Sequence, residues 1–472
     1  MARRVAYVHS QELIDFADDL PANEGRASLV HHLCSAYGLL DNGHGDEDTA
    51  AMDGQRAQLI RPMEVSRADL CRFHDARYID AILGRESTSA SDSSGSEGDD
   101  DNAPAPSFGL SRSSSSAPPP RKRHKPSPTD TLGLTDDCPL FPSLSRYVSL
   151  VAGASMTAAR ILRDGNADIA INWTGGRHHA KRGQASGFCY VNDIVLAIME
   201  MRGKPLAAPP PSPPSSDGSE KASPLSPAKP PKRLSRVLYI DVDLHHGDGP
   251  ESAFFTTPSC LTLSIHLHAP LFFPSSGSLD SAGPSLSSGK APPGALHALN
   301  VALEPGAGGE TLSRVWKSCV EAVKEAYQAD AVVLQCGVDG LAGDPCKEWN
   351  ISLSALGSCV SLALSWDLPT LLLGGGGYNH PNAARAWAYL TSIALERPLL
   401  LDSLIPSSLP PEEFALFAPS FSLDVPSFDS MRDKNTEQTL GRVEEAFEGY
   451  VAGLSERYGR SKVKRETRGE QL

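Results

Sequence analysis

The segment Asp241-Val-Asp-Leu-His-His-Gly-Asp-Gly249 carries two carboxylates and an imidazole at alternate positions. In an extended chain, side chains alternate between faces, so Asp241, Asp243 and His245 share one face and Val242 and Leu244 the other. Three ionisable groups in a row are costly to bury unless a cation compensates them. Two carboxylates with an imidazole suit a zinc site, and one further ligand would leave a position open for water. The same residues also read as a surface Asp/His turn, or as His and Asp paired with each other. A second segment, Gly175-Gly-Arg-His-His-Ala-Lys181, sets two adjacent histidines behind glycines that let the backbone turn sharply. His178 and His179 are suited to general acid and base work near neutral pH, although a solvated loop is the plainer reading of such a pair. In Gln335-Cys-Gly-Val-Asp339, Asp339 follows an apolar run and is placed to supply the missing ligand; an Asp there also serves as a helix N-cap or loop residue. Gly374-Gly-Gly-Gly-Tyr378 has neither the glycine spacing nor the lysine of a phosphate-cradling loop. The alternative is a flexible turn that presents the Tyr378 hydroxyl to a reacting oxygen.

These segments follow short apolar runs at 169–173, 237–242, 331–334 and 370–373, with a further run at 260–265. Near-continuous apolar strands of this length imply a parallel sheet covered on both faces. Helical patterns at 155–163, 311–327 and 383–395 alternate with them. The expected fold is α/β: a single domain with a doubly wound, mostly parallel sheet and helices on both faces. Such sheets bind ligands beyond the carboxyl ends of their strands. The domain is expected over 1–460, including a helix at 436–458, and a short basic and polar tail over 461–472. Two stretches, about 85–131 and 203–235, are rich in Ser, Gly, Asp, Pro and Lys and cannot bury enough apolar surface to order themselves; both are expected to be disordered insertions.

The chain has 472 residues, 40% hydrophobic and 21% charged, enough for a large core. Its net charge of −14 opposes direct nucleic-acid binding and suits a basic partner. The nine cysteines contain no CxxC pair, which speaks against a disulfide framework or a cysteine zinc cluster. No secretory signal and no membrane span of about 18 apolar residues is found, so the expected setting is soluble and intracellular.

Four motifs, GGRHHAKRGQASGFCYVNDIVLAI, LYIDVDLHHGDGPESAF, VVLQCGVDGLAGDP and LLLGGGGYNHPNAARAW, occur in the same order as in the class I, zinc-dependent histone deacetylases, which the sequence closely resembles from about Val5 through the C-terminal helix. Gly25-Arg-Ala-Ser28 and the pair Cys138 and Cys189 look most like the stand-alone subgroup. The resemblance implies an arginase/deacetylase-like fold and hydrolysis of acetyl-lysine in histones and other proteins. It matches Asp243, His245 and Asp339 to zinc ligands. His178 and His179 match the paired active-site histidines, with Asp241 and Asp248 as their carboxylate partners, and Tyr378 matches the oxyanion donor. Gly187, Phe188 and Phe273 match the acyl-lysine tunnel, Asp137 the rim carboxylate and Arg26 an arginine of the inner channel. Asp241 and Ser264 match a monovalent-cation site usually occupied by potassium. Acetyl-lysine proteins, histone tails among them, and corepressor proteins are the implied partners. The implied location is the nucleus, with the cytoplasm also open.

Four departures bear on substrate and acyl-chain preference and leave this set intact. Arg177 stands where the nearest relatives carry a large apolar residue. Pro274-Ser-Ser-Gly277 replaces Pro-Gly-Thr-Gly, Asp136 stands at a rim position where an aromatic is expected, and Cys346 replaces a tunnel-mouth methionine. Acetylpolyamine hydrolysis and a silent corepressor scaffold are the competing readings; Asp137 argues against the first and the intact ligand set against the second. An arginase-like manganese site would need more bridging carboxylates than are present. Arg121-Lys-Arg-His-Lys125 reads as an import signal or an ordinary basic loop. Ser127, Ser212, Ser223 and Ser226 precede prolines as candidate phosphorylation sites. A redox link between Cys138 and Cys189 is a further implication of the resemblance.

Overall fold

The computed structural model describes residues 2–41, 55–84, 131–204, 233–284 and 292–469, with side chains described as far as residue 459. The two expected insertions (a few flanking residues apart), the basic cluster and the four Ser-Pro sites lie outside them. Among the described residues, nine strands form one sheet: β1 (Val5–Val8), β2 (Leu40–Asp41), β3 (Ala57–Ile60), β4 (Ile169–Asn172), β5 (Val237–Asp241), β6 (Cys260–Leu267), β7 (Ala298–Leu303), β8 (Ala331–Gln335) and β9 (Thr370–Leu373). Their order is β2-β3-β1-β4-β9-β8-β5-β6-β7. Every pairing is parallel, edge strands included.

Parallel neighbours require crossovers, and helices supply them. On one face, Val237, Tyr239, Ala331, Val333, Leu371 and Leu373 pack with residues of helices Leu144–Arg163 and Asp193–Met201. On the other, Leu238, Ile240, Val332, Leu334 and Leu372 pack with helices Arg26–Ala36, Leu353–Ser365 and His380–Ala394. The strands are apolar at consecutive positions because both faces are covered. Burying one such Val, Leu or Ile contributes roughly 1.5–3 kcal/mol. The C-terminal helix spans Glu437–Gly469 and buries Leu440, Val443, Phe447 and Leu454. No helix among the described residues is long and apolar enough to cross a membrane.

The register sets the ends of the central strands level. Asn172 of β4 pairs with Leu373 of β9, Leu373 with Gln335 of β8, Gln335 with Asp241 of β5, Asp241 with Ser264 of β6, and Ser264 with Asn300 of β7. Apart from Leu373 the row is polar. Every segment singled out by its chemistry emerges from β4, β9, β8 or β5, four strands adjacent in the sheet. One expectation changes: β5 stops at Asp241, so Asp243 and His245 do not continue an extended face. The Asp243 N–H donates to Asp241 Oδ1 at 3.1 Å, a side-chain turn that competes with the ladder and bends the chain.

Candidate metal and proton-transfer site

The bend after β5 brings Asp243 and His245 to Asp339, which follows β8. His245 Nδ1 lies 3.0 Å from Asp339 Oδ2 and 3.3 Å from Asp243 Oδ1. Both carboxylates are essentially inaccessible, at 0% and 1% exposure. Their second oxygens are held by the fold. Asp243 Oδ2 accepts from Gln335 Nε2 and from the Gly376 N–H, each at 2.8 Å, and Asp339 Oδ1 accepts from the Leu244 N–H at 2.9 Å. Burial and the neighbouring Asp243 push the Asp339 carboxyl well above its ordinary range. Burial also disfavours charge on Asp243, but His178 and His245 outweigh it and hold that carboxyl low. Burial works against a charged imidazole at His245, yet the two carboxylates raise its pKa to about 10. Two buried carboxylates and an imidazole converging within hydrogen-bond distance suit a cation, and this donor chemistry fits zinc. Cys346 lies beside the site: its sulfur, the His245 ring nitrogen and an Asp339 oxygen all lie within 4.8 Å of one another.

The loop after β4 delivers the two adjacent histidines. His178 Nδ1 lies 2.8 Å from Asp241 Oδ2, and His179 Nδ1 lies 3.0 Å from Asp248 Oδ1; Asp248 also pairs with Lys181. Tyr239 donates its hydroxyl to the same Asp241 oxygen at 2.5 Å. The environments split the pair. Burial lowers His178, but Asp241 and Asp243 overcome it and raise the pKa to about 9. Burial and the neighbouring His178 bring His179 down to about 3. The two environments push the rings in opposite directions, the separation expected of groups with distinct proton roles.

Tyr378 is fixed through its backbone, whose N–H donates to Asp344 Oδ2 at 2.7 Å. Burial, then Asp339 and Asp243, hold its hydroxyl protonated and able to donate. The Phe188 ring meets Tyr378 edge-on at 5.9 Å, and Phe273 meets His179 edge-on at 4.7 Å. Gly187 lies between them at φ 53°; a Cβ there would stand 2.4 Å from His179 Cδ2 and 3.0 Å from Phe273 Cε1. The Asp137 carboxylate accepts from the Gly187 N–H at 2.7 Å and is exposed at the mouth. Arg26 lies deeper: its Nη1 donates to Gly377 O at 2.8 Å and its guanidinium stands 4.8 Å over the Trp387 ring. Ser264 Oγ accepts from the Gly247 N–H at 3.2 Å, next to Asp241 in the sheet. Cys138 and Cys189 are both buried free thiols, and burial pushes Cys189 up to about 12.

The candidate ligands Asp243, His245 and Asp339, the pair His178 and His179, and Tyr378 thus gather at the carboxyl end of the sheet. Gln335, Asp344 and Tyr239 were not singled out. Gln335 stands within the Gln-Cys-Gly-Val-Asp motif itself, and a buried amide ending an apolar strand is the signal that could have found it. Asp344 and Tyr239 act only through contacts that no local pattern announces.

A histone deacetylase domain model matches residues 20–206 and 227–394. The chain is 35% identical over 452 residues to histone deacetylase 8 of Danio rerio, covering 96% of each chain. It is 33% identical over 447 residues to histone deacetylase 8 of Xenopus tropicalis, covering 94% of this chain and 97% of the relative. It is 34% identical over 444 residues to histone deacetylase 2 of Oryza sativa subsp. japonica, covering 93% of this chain and 70% of the relative. With that agreement along nearly the whole length, and with a nine-stranded parallel sheet of the arginase/deacetylase type, the chain belongs to the histone deacetylase family, in the class I pattern, and is a lysine deacetylase.

Proposed function

We propose that this deacetylase hydrolyses the acetyl amide of N6-acetyl-lysine in protein tails with one zinc ion held by Asp243, His245 and Asp339. The observation that carries the reading is the convergence of those three donors on one buried point, His245 Nδ1 standing 3.0 Å and 3.3 Å from the two carboxylates. A divalent ion bound there polarises the acetyl carbonyl and makes water a nucleophile near neutral pH.

The protein's own groups do the rest. His179, neutral and oriented by Asp248, takes a proton from the attacking water and returns one to the lysine nitrogen as the C–N bond breaks. His178, oriented by Asp241, tunes the charge beside the reacting centre. The Tyr378 hydroxyl donates to the oxygen that gains charge. Phe188 and Phe273 form flat apolar walls for a four-carbon stem, and Asp137 offers a carboxylate at the mouth to the substrate backbone. Asp241 and Ser264 are the residues that would hold a monovalent cation such as potassium, which would supply a structural positive charge at the end of β5. Arg26 lines an inner channel for the released acetate.

Histone tails suit an acidic protein of net charge −14. The nucleus, with chromatin and transcriptional repression, is the proposed setting, and corepressor proteins are proposed partners; direct nucleic-acid contact is not part of the reading.

The test is hydrolysis of a fluorogenic acetyl-lysine peptide, with and without chelator, beside Tyr378→Phe and His179→Ala. Activity should vanish with chelator, return with zinc, and fall roughly 10²–10³-fold on loss of one oxyanion donor. Full activity in chelator, or in both variants, sinks the assignment.

A further inference from the structure

Behind the proposed metal site the fold buries two arginines side by side. Arg26 is 3% and Arg177 5% exposed. They share an inner cavity with Asn23, Trp173, Trp387 and Tyr7. Asn23 and Arg177 also line the pocket that holds His178, His179, Asp243 and Tyr378. These two residues are therefore the common wall between the reacting centre and the inner cavity.

That wall lacks partners. Arg177 Nη2 donates to Thr174 O at 2.9 Å, but its Nε and the Asn23 side-chain oxygen have no hydrogen-bond partner although both are buried. Among the described residues, neither guanidinium has a carboxylate within ion-pair distance. The nearby Asp193 carboxylate is engaged by the Ser155 hydroxyl and by the backbone N–H groups of Gly176 and Arg177. Burial and the Arg177 charge together bring Arg26 down to about 9. Neither buried guanidinium has an ion-paired carboxylate among the described residues, although Asp193 offsets part of the burial cost at Arg177, and an anion entering the cavity relieves what remains. The planar fork of a guanidinium matches a carboxylate in particular.

We infer that the enzyme accepts acyl-lysines whose short acyl chain ends in a carboxylate, with Arg177, supported by Arg26, gripping that terminal group across the wall between pocket and cavity. The inference rests on the deacylase reading above and names a substrate class for it. Pocket and cavity each offer about 20 Å³ of free volume, room for one or two waters, so the added group has to be about the size of a single carboxylate, as in malonyl, with succinyl the longer limit to be tested. The chemistry is unchanged. One water is consumed, its oxygen bonds to the acyl carbon, the C–N bond breaks, and a proton goes to the lysine nitrogen. The products are a free lysine side chain and a dicarboxylate.

The experiment measures kcat/KM for one peptide carrying acetyl-, propionyl-, butyryl-, malonyl- or succinyl-lysine, with the zinc-loaded wild type, Arg177→Met and Arg177→Lys. The expected result is at least a tenfold preference of the wild type for malonyl or succinyl over propionyl and butyryl. Arg177→Met should lose that preference and Arg177→Lys keep part of it. If Arg177→Met does not fold, the wild-type ratio and the Lys variant decide. Cleavage of acetyl-lysine with propionyl and butyryl preferred to both carboxylated chains overturns the inference and leaves the deacetylase reading standing. An unchanged preference in Arg177→Met overturns it in the same way. Failure to cleave any of the five, acetyl included, overturns both.

Discussion

Gln335 offers the sharpest test of how the metal site is built, because it touches neither the proposed ion nor the substrate. Its Nε2 donates to Asp243 Oδ2 and its Oε1 accepts the Gly337 N–H, each at 2.8 Å, at a fully buried position. Gln335→Leu keeps the volume approximately and removes both bonds. Losing a hydrogen bond to a charged group costs about 1.5–3 kcal/mol, and a buried N–H left unpaired about 1–3 kcal/mol. Asp243 Oδ2 retains the Gly376 N–H, so the low ends apply and the folded protein should lose about 2.5 kcal/mol. Metal affinity should fall as well, since groups that orient a ligand typically carry ~10–100-fold of it, or about 1.4–2.7 kcal/mol. Zinc affinity measured by competition with a chromophoric chelator, beside urea denaturation of the metal-free protein, separates the two effects. Added zinc should restore most of the variant's activity. A variant that binds zinc as tightly as the wild type would falsify the idea that Gln335 positions Asp243.

Three further outcomes follow from the geometry. In Tyr378→Phe, kcat should fall roughly 10²–10³-fold with little change in KM, because the hydroxyl acts on charge that develops only in the transition state; a change confined to KM contradicts that role. Gly187→Ala sets a Cβ 2.4 Å from His179 Cδ2 at φ 53° and should cost about 1–2 kcal/mol in backbone strain while displacing His179. Its kcat/KM should drop at least tenfold in stopped assays at a temperature where circular dichroism still shows the fold; near-normal turnover argues against a tight His179 site. Glu200 accepts from Arg160, Arg72 and Arg163. Burial alone would raise its carboxyl, but these arginines hold it near 2. A depressed carboxyl stabilises the fold above the ordinary Glu value of about 4.3 and loses that contribution as pH falls toward 2. Glu200→Gln should therefore flatten the acid branch of a urea-stability profile between about pH 4.5 and 2, and should cost about 2 kcal/mol at pH 7, since two of its three partners are one-third exposed. Parallel wild-type and variant profiles would refute the pairing.

The strands that carry the site were legible because both of their faces are buried: Val237–Asp241, Ala331–Gln335 and Thr370–Leu373 read as unbroken apolar runs ending in polar residues. The outer strands Leu40–Asp41 and Ala57–Ile60 were not, since two to four residues, of which only Leu40 and Ala57 are buried, carry no period. The helix expected at 155–163 begins eleven residues earlier, at Leu144. Gly153 obscures its pattern, and it is there because a Cβ would meet the Met63 carbonyl oxygen at 1.8 Å, a tertiary reason invisible in the helix itself. The ligand, histidine-pair and Tyr378 candidates stood out by type and spacing, whereas Asp137, Gly187, Phe188, Phe273, Ser264 and Arg26 came only from the family resemblance; the assumed strand geometry after Asp241 was wrong because the Asp241 side chain caps its own strand.

The turn at Asp241 is what assembles the chemistry. Had the extended run continued to His245, its side chains would have advanced along one strand, away from the loops that follow β8 and β9. Because β5 ends level with Gln335, and Gln335 with Leu373, the chain turns at the same height on all three strands. Asp243 then meets the Gln335 amide and the Gly376 N–H within hydrogen-bonding distance. A strand rises about 3.3 Å per residue, so slipping β8 by one residue would move Asp339 by about 3.3 Å, more than the distance that now separates it from His245 Nδ1. The convergence is thus a property of sheet register as much as of the motifs, and the apolar contacts that fix the register of β5, β8 and β9 are as necessary to the site as its ligands.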